Sequence, residues 1–234
     1  MLRLTTFFFV LSGSCLSVVT SAYAAPVTVP FTEDFSSNTS QWMSGASTAL
    51  NYVSSGGPNG ASDGYASTLF TEPSSTTAVV IFRGQSNFNS SNDAFVGDWV
   101  AAGVNEYSFW IRQNSSAALT VGTRFTTSAN FPAFSALTET TIQPNVWTEV
   151  TFNISPTSPD LQPEGPTPFD SVFGSLASLQ ILAERGPLSA GTQVTFDLDK
   201  VSIVPEPSAL LLAVAGVFPL GMLLRSRRRA ASQG

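Results

Sequence analysis

Histidine is absent from all 234 residues, and the single cysteine, Cys15, falls inside an N-terminal segment with the layout of an export signal. A body without either residue cannot build a Ser-His-Asp or Cys-His nucleophilic system, nor the common zinc sites that need imidazole or thiolate ligands. It also forms no disulfide, although an exported chain meets a compartment that allows one. Basic residues are nearly as scarce. Between residues 25 and 204 only Arg83, Arg112, Arg124, Arg185 and Lys200 stand against fifteen Asp and Glu, a net charge of about −10. Nucleic acid is excluded as a partner, because phosphate contacts need a basic face that five scattered cations do not make. No phosphate loop is present either: Ser55-Gly56-Gly57-Pro58-Asn59-Gly60 ends in no Lys-Ser or Lys-Thr and reads as a turn.

What the chain does have is most ordered at its two ends. Arg3 supplies a positive start, residues 7–19 an apolar stretch, and Ala22-Tyr23-Ala24 a small-x-small cleavage site, so residues 1–24 read as a signal peptide and the mature chain starts near Ala25. At the other end, Val204-Pro205-Glu206-Pro207-Ser208 leads into the apolar run 209–224, followed by Arg225-Ser226-Arg227-Arg228-Arg229. A helix over that run is about 24 Å long, short of the roughly 30 Å hydrocarbon core, so it spans only with snorkelling or bilayer thinning. Pro219 kinks it, and Gly216 and Gly221 loosen it further. The arginines stay cytoplasmic by the positive-inside rule, which places the body outside.

This C-terminal layout closely resembles the PEP-CTERM sorting signal of Gram-negative bacteria. The resemblance covers residues 205–229. It implies a single transmembrane helix that holds the body at the inner membrane, and an exosortase-type membrane protease that cuts at or near Pro205-Glu206-Pro207. The destination it implies is the cell surface or extracellular matrix, with extracellular polysaccharide as an expected partner. An uncleaved tail anchor is the alternative. A buried core helix is disfavoured, because nothing in a sheet domain would cover the arginines at its end.

Residues 25–204 have the length of one domain. Period-two apolar alternation recurs through them and helical periodicity is hard to find, which predicts strands over 28–35, 76–83, 106–113, 118–126, 146–154, 179–184 and 193–204. A short helical turn is expected over 171–178. Clusters of Gly, Asn, Ser and Pro at 54–60, 85–93 and 155–168 separate the strands. Short strands with frequent turns and no crossover helices argue for an all-β fold, an antiparallel β-sandwich.

Three stretches resemble landmarks of the galactose-binding-like jelly rolls, the group that includes carbohydrate-binding modules. They are Glu33-Asp34-Phe35 followed by Gln41-Trp42, Trp147-Thr148-Glu149-Val150, and Phe196-Asp197-Leu198-Asp199-Lys200-Val201-Ser202-Ile203. Gly97-Asp98-Trp99 is similar to a turn of the same domains. The resemblance implies that the first and last strands pair, which would bring Glu33 or Asp34 towards Asp197 or Asp199, an oxygen-only set suited to a structural calcium. Solvated ion pairing of Asp199 with Lys200 is the other reading. Val201 and Ile203 share the parity of Asp197 and Asp199, so either that face is partly buried or the strand bulges near Lys200.

Sugar rings stack on exposed aromatics, and four tryptophans are available. Trp99, beside the Asn- and Ser-rich loop 85–93, is the preferred stacking platform. Trp110 lies inside a strand and is expected to pack, whereas Trp147 is in phase with Glu149 and Thr151 and need not be core. Paired carboxylates remain a route to glycoside hydrolysis. The Glu-x-Asp-x-x-Glu spacing of jelly-roll glucanases is missing, however, so catalysis is not expected. The expectation is an exported protein with a structural or adhesive role in the envelope or matrix, with a carbohydrate-binding module as the alternative and a hydrolase as a more distant one.

Overall fold

Alternating strands bury one face each only if two sheets meet, and the computed structural model of the chain is built that way. It describes residues 24–73, 78–184 and 188–206. The elements run β1 (Phe31–Glu33), β2 (Met43–Ser44), β3 (Asn51–Val53), β4 (Tyr65–Thr71), β5 (Ala78–Gln85), α1 (Trp99–Ala102), β6 (Val104–Gln113), β7 (Leu119–Thr126), β8 (Ala133–Ile142), β9 (Thr148–Asn153), β10 (Leu161–Pro163), α2 (Phe169–Phe173), β11 (Ser178–Glu184) and β12 (Gln193–Pro205). One sheet has the order β3-β4-β12-β6-β9, with β1 also on β12, and the other the order β10-β8-β7-β11-β5-β2. Paired strands in both are antiparallel. The protein is a β-sandwich.

Strand β12 organises the first sheet. Its length lets it pair β4 through Gln193 to Leu198 and β1 through Val201 to Ile203 on one edge, and β6 on the other. The parity conflict in its sequence is resolved by a bulge. Asp199 lies opposite Trp110 and Ser202 opposite Ser108, so β12 spends one more residue than β6 over this span, and Lys200 takes a left-handed φ of 49°. Val194, Phe196 and Leu198 face the core before the bulge, and Val201 and Ile203 face it afterwards. Asp197 and Asp199 are thereby turned to the outer face.

The core between the sheets is strongly aromatic. Tyr107, Phe109 and Ile111 of β6 and Val150 and Phe152 of β9 meet Phe125 of β7, Phe134 of β8 and Ile181 of β11 across the interface. Trp99 lies 5.8 Å from Phe125 and 6.0 Å from Phe173, ring centre to ring centre. The expected helical turn over 171–178 forms earlier, as α2, because Ser178 already belongs to β11. The first expected strand, 28–35, shortens to β1, since Pro30 precedes it and Phe35 has a positive φ of 44°.

Among the described residues, backbone pairing of the sandwich runs from Ala25, whose carbonyl accepts from the Asp98 amide at 2.9 Å, to Glu206, whose amide donates to the Gly103 carbonyl at 3.3 Å. Among the described residues no helix is long and apolar enough to cross a membrane. Ala22, Pro207, the run 209–224 and Arg225, Arg227, Arg228 and Arg229 lie outside the described residues. Ala24 is the first residue described, while Val204 and Pro205 are the last residues of β12.

Candidate functional site

Trp99 is not a sugar platform. It is fully buried, its ring sits against Tyr107, Phe125 and Phe173, and its indole N–H donates to the Phe95 carbonyl at 2.9 Å. The Gly97-Asp98-Trp99 turn is built to insert that ring. A Cβ on Gly97, at φ 142°, would fall 2.5 Å from the Ala25 carbonyl oxygen, so no larger residue lets the N-terminal segment approach. The Asp98 carboxylate caps α1 by accepting from the Ala101 amide at 2.8 Å. The motif is an anchor between the N-terminus and the core.

Trp147 and Trp110 are both half-buried on the outer face of the first sheet. The expectation that Trp110 packs in the core fails because its strand parity sets it between Asp199 and Glu149 on that face. Trp147 is already in use. The Arg112 guanidinium lies 4.6 Å from its ring and 5.1 Å from that of Tyr65, and the two rings meet edge to face. Arg112 also donates to the Asp197 carboxylate at 2.9 Å, and the Trp147 indole donates to the Gly56 carbonyl at 3.0 Å. This clamp fastens the loop before β4 to the sheet, and leaves neither the indole face nor the guanidinium free.

The expected calcium set of Glu33, Asp34, Asp197 and Asp199 does not assemble as written. The first and last strands do pair, with Glu33 opposite Val201. Glu33 and Asp34, however, accept the amides of Phe35 and Ser36 two residues on, and Asp197 is committed to Arg112. Among the described residues no three acidic side chains form a cation cage. Asp199 is the exception. Its side chain is fully buried, Oδ1 accepts from the Lys200 amide at 2.8 Å, and Oδ2 has no hydrogen-bond partner. Burial first, then the charges of Asp63 and Asp34, push its carboxyl up to about 7 against the pull of the Lys200 amide and side chain.

The second sheet carries a different kind of face. Directly opposed residues on neighbouring strands point the same way, and register places Met43, Arg83, Gln180, Arg124, Ser135 and Gln162 in one row across β2, β5, β11, β7, β8 and β10. The adjoining row holds Gln85, Ser178 and Thr126. Between these rows and the β7–β8 turn lies a recess of about 130 Å³, lined among the described residues by polar side chains apart from Ala177 and by no carboxylate. Its lining includes Arg83, Gln85, Thr126, Asn130, Ser178 and Gln180.

The two arginines of the row differ in their company. Arg124 makes a forked pair with Glu164, at 2.7 and 2.9 Å, and grips both the side chain and the carbonyl of Asn130 at 2.8 and 2.9 Å. The Arg124 guanidinium holds the Glu164 carboxyl below the usual carboxylate range; burial opposes this and the Ser135 hydroxyl assists. The same guanidinium lies 4.9 Å from the ring of Phe131, which is 58% exposed on the β7–β8 turn. Arg83 instead donates only Nε–H, to the Gly45 carbonyl at 3.0 Å, and pairs with no carboxylate among the described residues. Burial, then the charge of Arg124, lowers its pKa.

Gln180, Ser178 and Thr126 are themselves buried, so this face offers a ligand the half-buried Arg83 guanidinium, the amides of Gln85 and Asn87, and the exposed ring of Phe131. That is the mixture a polyhydroxylated ligand requires. Sequence reasoning missed it. Phe82-Arg83-Gly84-Gln85, Thr123-Arg124-Phe125 and Leu179-Gln180-Ile181 each place a polar residue between core residues, which marks an outer face but not a shared one. Only strand order brings them into a row.

No family model and no curated protein matches the sequence. Among solved structures, the fold is similar to the family 11 carbohydrate-binding module from Clostridium thermocellum in complex with a β-1,3-1,4-mixed-linked tetrasaccharide, at 11% identity over 79% of this chain and 98% of that one, with a TM-score of 0.45. It is similar to CBM28, a carbohydrate-binding module specific for non-crystalline cellulose, at 16% identity over 76% and 94%, with a TM-score of 0.46. A third similarity is to the CBM22-1–GH10 modules of the C. thermocellum xylanase 10B complexed with xylohexaose, at 16% identity over 79% of this chain, TM-score 0.46; the chain spans 28% of that protein.

Proposed function

We propose that the protein is a non-catalytic, exported carbohydrate-binding module of jelly-roll type, and that it holds polysaccharide on the outer face of its second sheet. The row Arg83, Gln180 and Arg124 carries this reading. Arg83 keeps its terminal guanidinium nitrogens without a partner among the described residues at a polar recess, and Arg124, held by Glu164 and Asn130, braces the neighbouring strand, whereas the polar groups around Trp147 are already bonded to one another. This reading is favoured over the purely structural or adhesive role. Retention of the purified protein in gels containing soluble polysaccharides tests it: slowed migration that Gln180→Leu abolishes supports it, and free migration with every polymer contradicts it.

The terminal signals add where the binding takes place. They support export past the inner membrane, an exosortase-type protease as processing partner, and final residence at the cell surface or matrix. A cut after Pro205 would leave β12 complete. The intact mass of the protein from its host tests this, and a mature form retaining residues 209–234 contradicts the processing step. For calcium, the supporting observation is the orphaned Oδ2 of Asp199, on which the charges of Asp63 and Asp34 also act.

A further inference from the structure

We infer that the sugar held on the second sheet is acidic, its anion a carboxylate or sulfate ester seated on Arg83. The inference rests on the carbohydrate reading above and deepens it. Arg83 and Arg124 flank Gln180 in register, which sets their backbones about 10 Å apart. Arg124 is neutralised by Glu164 and fixed by Asn130. Arg83 is half-buried, faces a second cation, and pairs with no carboxylate among the described residues. A guanidinium taken partly out of water beside another guanidinium costs stability unless an anion completes it. The chain has many candidates for that anion, since fifteen Asp and Glu lie within residues 25–204, yet among the described residues none lines the recess.

The ligand therefore supplies the charge. Two terminal nitrogens of Arg83 can present a planar fork to one oxyanion, while the amide N–H groups of Gln85, whose oxygen accepts from the Ser178 hydroxyl at 3.3 Å, and the exposed Asn87 side chain lie beside it for ring hydroxyls. The acidity of the rest of the body does not forbid this. At physiological salt the screening length is about 8 Å, so remote carboxylates are damped while a contact pair in the recess is not.

The experiment measures binding of the purified protein to four probes: oligogalacturonate, the same oligomer with its carboxylates reduced, dextran sulfate and dextran. Oligogalacturonate or dextran sulfate should bind about tenfold or more tightly than its uncharged counterpart, and Arg83→Gln should remove that preference while leaving the melting temperature unchanged or higher. Arg83→Lys should keep part of the preference but lose the fork. Comparable binding of charged and uncharged members, or a preference that survives Arg83→Gln, overturns the acidic assignment and leaves carbohydrate binding standing. Failure of all four probes to bind, with a glycan panel also negative, overturns both.

Discussion

Arg83 and Arg124 each stand directly opposite Gln180, one on either side of β11, yet among the described residues only Arg124 has a carboxylate partner, through a fork to Glu164. The relationship divides the labour of the face. Arg124 is a strut that ties β7 to the segment after β10 and to the β7–β8 turn, and so fixes the rim of the recess. Arg83, on the proposed reading, is the cation left for a ligand.

Glu164 should therefore matter to stability more than its position on a loop suggests. Glu164→Ala leaves a partly buried guanidinium and the Ser135 hydroxyl without their acceptor, and is expected to cost about 1–3 kcal/mol in denaturant unfolding at neutral pH. Its pKa is depressed in the fold, so its contribution is fully present above the unfolded value near 4.5 and is lost as pH falls through the lower folded value. The wild type and Glu164→Ala should converge in stability under acid.

Asp199 has the opposite sign. Its folded value of about 7 lies above the ordinary 3.8, so the fold binds the proton more tightly than the unfolded chain and loses stability as pH rises from about 4 to 7. Asp199→Asn should flatten that slope. If calcium binds at the unpartnered Oδ2 it replaces the proton, and at pH 8 added calcium should then raise the melting temperature of the wild type and not of Asp199→Asn. Identical melting curves with calcium and with chelator would remove the ion from the account.

The two aromatic candidates separate in one comparison. Trp99→Ala empties a fully buried site and should cost about 3–5 kcal/mol. Phe131→Ala, at an exposed position, should change stability by about 0.5 kcal/mol or less and weaken glycan retention. Chemical denaturation reads the first effect and gel retention the second.

Gly97→Ala tests the N-terminal anchor. The added methyl meets the Ala25 carbonyl and the φ of 142° is one that L side chains rarely adopt, so the loss should exceed about 1 kcal/mol. Faster proteolysis near residue 25 should accompany it.

The strands with strong apolar contrast were legible in the sequence, and those without it were not. Glu106 to Gln113 and Thr148 to Asn153 alternate Tyr, Phe, Ile or Val with polar residues and form β6 and β9. β4 was missed because Ala66 and Thr68 occupy its core face, and β8 because its second half reads Leu-Thr-Glu-Thr-Thr-Ile. The ambiguous parity of Asp197 to Ile203 contained the bulge as one of two readings, and Lys200 decided between them. Trp99 misled for a physical reason: a polar turn of Gly and Asp looks like a binding loop, but here it delivers an indole into the core. The row of Arg83, Gln180 and Arg124 depends on which strands are neighbours, and β5, β11 and β7 are adjacent in space though far apart in the chain.

The most direct test of glycan binding on the second sheet is an NMR titration of the protein with a soluble acidic oligosaccharide, followed by amide shifts. Perturbation concentrated at Arg83, Gln85, Thr126, Asn130, Ser178 and Gln180 is the predicted result. Shifts centred instead on Tyr65, Arg112 and Trp147, on the opposite face of the sandwich, would contradict it.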